Sequence, residues 1–261
     1  MLPPLPPLLL VLLGSARLSS PPRPSLQPAA AARRHAAPPR LQAASGPCES
    51  ETWPALQGVL DELPVFTVAN GEGQPLQYQT QGPKGERQLA IFYTDVKAAE
   101  EQFYTARNQF PDLGCDIVSV GLGFAYKLTS EGKAMLVPGV ADLMGAGAPE
   151  GAQPMGQELP LFACMELKRD AEGDQAPKVP LFVSHADCAA AGLTAPGGPF
   201  EVNAILSLQS YVEELAGLDD PSKGEFAFVP PSAALQHVAS YVGQGIYMRK
   251  VDEEEESKEE E

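Results

Sequence analysis

Apolar positions along this chain follow two rhythms. Short runs rich in Val, Ile, Leu and Phe, bounded by Gly, Pro or Asn, predict strands. LPVF (63–66), LAIFY (89–93), DIVSVGLGFAY (116–126), LPLF (159–162), VPLFV (179–183) and EVNAILSLQSY (201–211) are of this kind. Elsewhere apolar residues recur three or four apart, as on one face of a helix. Residues 52–63 place Trp53, Leu56, Val59, Leu60 and Leu63 on one side. Residues 95–110 do the same with Val96, Ala99, Phe103, Ala106 and Phe110, with Asp95 set to cap the start and Pro111 to stop the end. Residues 231–242 carry Ala234, Leu235, Val238 and Val242 between a capping Ser232 and a terminating Gly243. Asn70-Gly71-Glu72-Gly73 predicts a turn that folds PVFTVA against PLQYQT as a hairpin.

The order of these elements occurs twice. LPVF matches LPLF, LAIFY matches VPLFV, and each second strand precedes a helical stretch, 95–110 in one half and 186–193 in the other. DIVSVGLGFAY then matches EVNAILSLQSY, and MLVPGVADLM (135–144) matches FVPPSAALQH (228–237). Strands alternating with single helices predict an α+β fold of two structurally similar repeats in a pseudo-twofold arrangement. Repeat one covers about 60–145 and repeat two about 158–245. The Gly- and Pro-rich residues 146–157 form the linker, and 166–178 a charged loop within the second repeat.

Composition divides the ends from this body. Residues 1–47 hold eleven of the 27 prolines, five arginines and no acid, and predict a disordered leader. Within it an apolar run (5–13) before Gly14-Ser15-Ala16 resembles a secretory signal. The Arg-, Ser- and Ala-rich stretch behind it has the composition of an organelle transit peptide. Residues 251–261 carry eight acids and one lysine and predict a disordered tail. Residues 48–250 carry 26 acids against 12 bases, so a nucleic acid or an anionic membrane surface is disfavoured as partner and a basic polypeptide is favoured. No apolar run approaches the roughly 20 residues of a membrane span.

The run LDELPVFTVANGEGQPLQY (60–78), followed by QLAIFYTDVKAAEEQF (88–103), VSVGLGFAYKL (118–128) and the paired LPLFACMEL and VPLFVSHADC, resembles the Tic twenty-two family of plastid envelope import proteins. The resemblance spans about 60–242 and consists of apolar and turn positions. It implies a two-repeat α+β protein, without catalytic residues or cofactor, in the intermembrane space of a plastid envelope. The implied role is chaperone-like: holding precursor proteins with basic transit peptides beside other translocon subunits. A signal ahead of a transit peptide fits a complex algal plastid, although Arg17 stands where many such transit peptides carry an aromatic residue. An enzyme on a thioredoxin-like α/β scaffold and a plastid adaptor remain as alternatives.

Constellations that could carry chemistry are incomplete. Cys48, Cys115, Cys164 and Cys188 contain no C-x-x-C pair, which leaves buried thiols as the plain reading of Cys115 and Cys164. His185 and Cys188 with Cys164 lack a fourth metal ligand. Ser184, His185 and Asp187 have the residue types of a catalytic triad, but as sequence neighbours they cannot generally reach its geometry. Gly121-Leu122-Gly123 lacks the third glycine and helix signal of a dinucleotide site and reads as packed strand. Glu100-Glu101 and Glu213-Glu214 read as solvated helix faces. Phe66, Phe92, Phe162 and Phe182, at matched strand positions, are either core or the lining of an apolar groove that holds unfolded segments.

Overall fold

The structure, a computed structural model, describes residues 46–82, 85–168 and 177–243. The described chain begins with a short 3-10 turn, Pro47–Glu49. Helix α1 (Trp53–Asp61) carries Pro54 in its first turn, where a missing N–H has no partner to lose, and buries Trp53, Leu56 and Leu60. Next come β1 (Pro64–Ala69), β2 (Gln77–Gly82), β3 (Gly85–Tyr93) and α2 (Val96–Gln109). The first half closes with β4 (Asp116–Gly121), α3 (Leu122–Ser130), β5 (Ala134–Val137) and α4 (Val140–Gly145). Residues 146–159 contain neither helix nor strand. The second half comprises β6 (Pro160–Ala163), β7 (Val179–Phe182), α5 (His185–Thr194), β8 (Ala204–Ser207), α6 (Leu208–Ala216), β9 (Phe226–Val229) and α7 (Ser232–Gly243). The class is α+β, as the strand and helix patterns predict.

Two sheets share one pairing order. In the first, β4 pairs with β1 and β1 with β3, both antiparallel, and β3 pairs with β5 in parallel. In the second, β8 pairs with β6 and β6 with β7, both antiparallel, and β7 pairs with β9 in parallel. The first sheet has an extra strand, β2, on the N-terminal part of β3. One sequence match shifts by a residue: Phe66 faces Tyr93 across its strand pair, and Phe162 faces Phe182. Tyr93, and not Phe92, is therefore the counterpart of Phe182. Such a slip exchanges the faces of the sheet, and Phe92 indeed joins the core between the sheets while Phe182 packs on an outer face.

Three cores follow from these faces. The inner faces of both sheets (Val65, Phe92, Leu161, Leu181) enclose a core with α1, α3 and α6, to which Leu56, Leu122, Tyr211 and Leu215 belong. On the outer face of the first sheet, α2 and α7 cover Phe66, Ile91 and Ile117 with Ala99 and Ala234. On the outer face of the second, Phe162, Cys164, Phe182 and Cys188 form a smaller core under α5. All described residues lie in one compact unit.

Several local expectations are corrected. Residues 116–126 and 201–211 are each a strand that turns into a helix, α3 and α6, rather than one long strand. The spacing of Leu208, Tyr211, Val212 and Leu215 is helical, and Ser207 caps it by accepting from the Ser210 N–H at 3.1 Å. The Asn70 turn exists: Asn70 Oδ1 accepts from the N–H groups of Glu72 and Gln74, and Gly73 takes a φ of 78°. Its two flanks pair as a hairpin only next to the turn. β1 is already paired on both edges, so beyond the short Val68–Leu76 and Ala69–Pro75 contacts β2 pairs with β3. Val59, Phe110 and Leu235, placed on buried helix faces by spacing, are exposed. Cys115 and Cys48 are half-buried, whereas Cys164 and Cys188 are fully buried. The leader up to residue 45, most of the charged loop (169–176) and the acidic tail lie outside the described residues.

Candidate functional site

The candidate site lies where β4, the end of α1 and the exposed side of α7 meet. Leu122 N–H donates to the carbonyl of Leu63 at 2.8 Å, continuing the β1–β4 ladder. Bonded and non-bonded pairs alternate along an antiparallel ladder, so Phe66 and Ser119 are a non-bonded pair. The main-chain N–H and C=O of Ser119 therefore point away from β1, toward the outer edge of the sheet. No strand among the described residues pairs there. At the neighbouring outward position, Ile117, the N–H is taken by the side chain of Asp116 at 2.8 Å.

Beside this edge lies a groove of about 250 Å³. Pro64 and residues Ser119–Gly121 line one side; Leu235 and Val238 of α7 line the other. Asp61 and Glu62, both exposed, stand at its end. They end α1, where the helix dipole adds negative potential, so the end of the groove favours a cation. Asp61 also accepts from the Phe124 N–H at 2.9 Å and so caps the first turn of α3. Gly121 is required here: a Cβ would lie 2.7 Å from the Asp61 Cα. A helix thus does follow the Gly121-Leu122-Gly123 stretch, and close packing against α1 accounts for both glycines, since a Cβ on Gly123 would meet the Gln57 carbonyl at 2.7 Å.

Helix α7 is held from both halves. Asp187 of α5 accepts from the N–H and the hydroxyl of Ser232, each at 2.7 Å, and anchors the first turn of α7. Further along, His237 packs edge-on to Phe66 with ring centroids 5.1 Å apart and has its Nδ1 3.8 Å from Glu100. Glu100 is thus turned toward α7, whereas Glu213 and Glu214 are exposed as expected.

The structure disperses the residues that could suggest catalysis. Ser184 caps α5 by accepting from the Asp187 N–H, Asp187 is turned to Ser232, and the His185 ring lies edge-on to Phe162 at 5.1 Å. These three side chains have three different partners. Among the described residues no group of His, Cys, Asp and Glu is placed to hold a metal ion. Phe66, Phe92, Phe162 and Phe182 are all buried in the cores, so the groove reading does not apply to them. Of the groove residues, spacing singled out Leu235 and Val238, but as part of a buried helix face. Asp142 of α4 accepts from the N–H of His185 in α5 at 2.8 Å. Burial raises its carboxyl above the usual range, opposed by that hydrogen bond.

The groove, at about 250 Å³, is smaller than the roughly 300–1,000 Å³ of typical small-molecule sites. Among solved structures the chain is similar to Tic22 from Plasmodium falciparum at 17% identity and a TM-score of 0.56, covering 73% of this chain and 98% of that one. It is also similar to Anabaena Tic22, described as a protein of protein transport, at 18% identity and a TM-score of 0.54, covering 72% of this chain and 96% of that one. The chain has the Tic22 fold. No protein-family model matches it, and no curated protein sequence does. Among the described residues no helix is long and apolar enough to cross a membrane.

Proposed function

We propose that this chain acts in protein import into plastids, by holding extended, basic segments of precursor proteins in the groove beside β4. The single observation that carries the reading is the groove itself. It joins the unpaired main chain of Ser119, the apolar side chains of Leu235 and Val238, and the carboxylates of Asp61 and Glu62. A precursor segment adds to the edge of β4 as a further strand. Main-chain hydrogen bonds give affinity without sequence preference, alternate side chains rest against α7, and an Arg or Lys reaches the acidic end. Holding of this kind is reversible and needs no chemistry. The fold shared with two Tic22 structures, one described as a protein of protein transport, supports this assignment.

On this reading the two sheets are diverged copies of one unit in a pseudo-twofold arrangement, with repeat one at about 60–145 and repeat two at about 158–245. Residues 1–47 are a signal and transit leader, and the mature protein works in the intermembrane space of the envelope beside other translocon subunits. The charge of residues 48–250 draws arginine-bearing, acid-free targeting segments.

Fluorescence anisotropy of a labelled peptide of transit-peptide composition, such as residues 17–45 of this chain, tests the site. We expect saturable binding at low salt, weakened about tenfold or more by Leu235→Asp and several-fold by Glu62→Lys. Absence of binding, or equal binding by wild type and both variants, contradicts the proposal.

A further inference from the structure

The second sheet holds a feature that the groove does not use. Cys164 directly follows β6, and Cys188 lies in the first turn of α5. Both are fully buried in the small core that includes Phe162 and Phe182, and their sulfur atoms are 3.7 Å apart. The same Cys164 Sγ lies 3.8 Å from the carbonyl of Cys188. Helix α5 sits close on the sheet at this point: a Cβ on Gly192, one turn further along, would be 3.1 Å from Cys164 Sγ and 2.4 Å from the Phe200 carbonyl. The other two thiols are placed differently. Cys48 Sγ accepts from the Ser130 hydroxyl at 3.3 Å, and Cys115 precedes β4 at the opposite sheet.

We propose that Cys164 and Cys188 are a redox modification site and form a disulfide that staples α5 to the second sheet. A disulfide needs its sulfurs at about 2.05 Å, and two thiols already in van der Waals contact reach that by small side-chain rotations. With glutathione disulfide as oxidant, one cysteine thiolate attacks and releases one glutathione. The second cysteine then attacks the protein sulfur of the mixed disulfide and releases another. Two electrons and two protons pass from the cysteine pair to two glutathione thiols, and one S–S bond forms. Burial, with Cys164 beside it, pushes the Cys188 thiol up to about 12, so the pair is a slow structural staple rather than a reactive catalytic dithiol. The bond fixes the helix that carries Asp187, and through Ser232 it steadies the start of α7. The inference does not depend on the groove binding anything.

The test uses the full chain with Cys48→Ser and Cys115→Ser, which leaves only the two thiols in question. It is equilibrated in glutathione buffers of graded poise, folded and in urea, and free thiols are counted after quenching. The expected result is loss of both thiols in the folded protein without glutathione adducts, at a reduced-to-oxidised glutathione ratio at least tenfold more reducing than in urea. A Tm raised by several degrees and reversed by dithiothreitol should accompany it. Retention of both thiols in the folded protein, or linkage no easier than in urea, overturns the proposal. Should the double variant fail to fold, peptide mapping of the oxidised wild type decides the same question: a 164–188 link supports the site and any other pairing refutes it.

Discussion

At the residue scale, the positions that matter most are those where a side chain has no room. Gly121 has an ordinary extended backbone, with φ of −69°, so no conformational need selects glycine there. Its reason is Asp61, whose main chain would lie 2.7 Å from an added methyl group. Gly121→Ala should destabilise the fold by roughly 1–3 kcal/mol, as overpacked sites do, measured by urea denaturation. A second residue-scale expectation concerns buried phenols. Burial pushes Tyr126 and Tyr211 each up to about 12, from 10.0 in the unfolded chain. Between those values the unfolded chain has released protons that the fold retains, so stability should fall as pH rises from about 10 to about 12 and be indifferent to these groups below that window. Tyr126→Phe with Tyr211→Phe should flatten the alkaline limb of a Tm-against-pH curve. Which residues are buried was legible where spacing was regular, as for Trp53, Leu56 and Leu60. The glycine contacts were not, because they depend on which helix crosses which strand.

At the element scale, the sequence rhythm located α1, α2, α5 and α7 but misread two strand-to-helix transitions. Residues 116–126 and 201–211 begin with β-type residues and end with helical spacing, and a window spanning both averages the two periods. The change comes at Gly121 and at Ser207, both extended, each followed at once by a helix. The turn at Asn70 was legible from its residues; the early end of its strand pairing was not, since β3 takes that edge of β1 and pairs with β2 as well. Helix α7 is the element on which the site depends. It supplies Leu235 and Val238, and its first turn is held by Asp187. Asp187→Ala should cost about 1–2 kcal/mol of local stability, the usual loss for a removed cap. Hydrogen exchange should show faster opening of residues 233–238 with the two sheets unaffected, and affinity for a basic peptide should fall with it. A change confined to α5 would show that the Asp187–Ser232 contact does not anchor α7.

At the scale of the whole molecule, charge and topology act together. The acidic charge of residues 48–250 was legible from composition. The groove was not legible, because its three walls come from segments near residues 61, 119 and 235 that only the tertiary fold brings together. Electrostatic attraction between an acidic body and a basic segment is screened within about a Debye length, roughly 10 Å at 0.1 M salt. Peptide binding should therefore weaken several-fold between 50 and 300 mM salt, while main-chain pairing leaves a residual affinity at the higher value. The most direct measurement is amide hydrogen exchange of the full chain with and without the 17–45 peptide at low salt. Strand addition at β4 predicts new protection at Ser119 and Gly121, whose amides face the open edge, with little change along β8. Bound peptide that leaves those two amides as exposed as before would contradict the account.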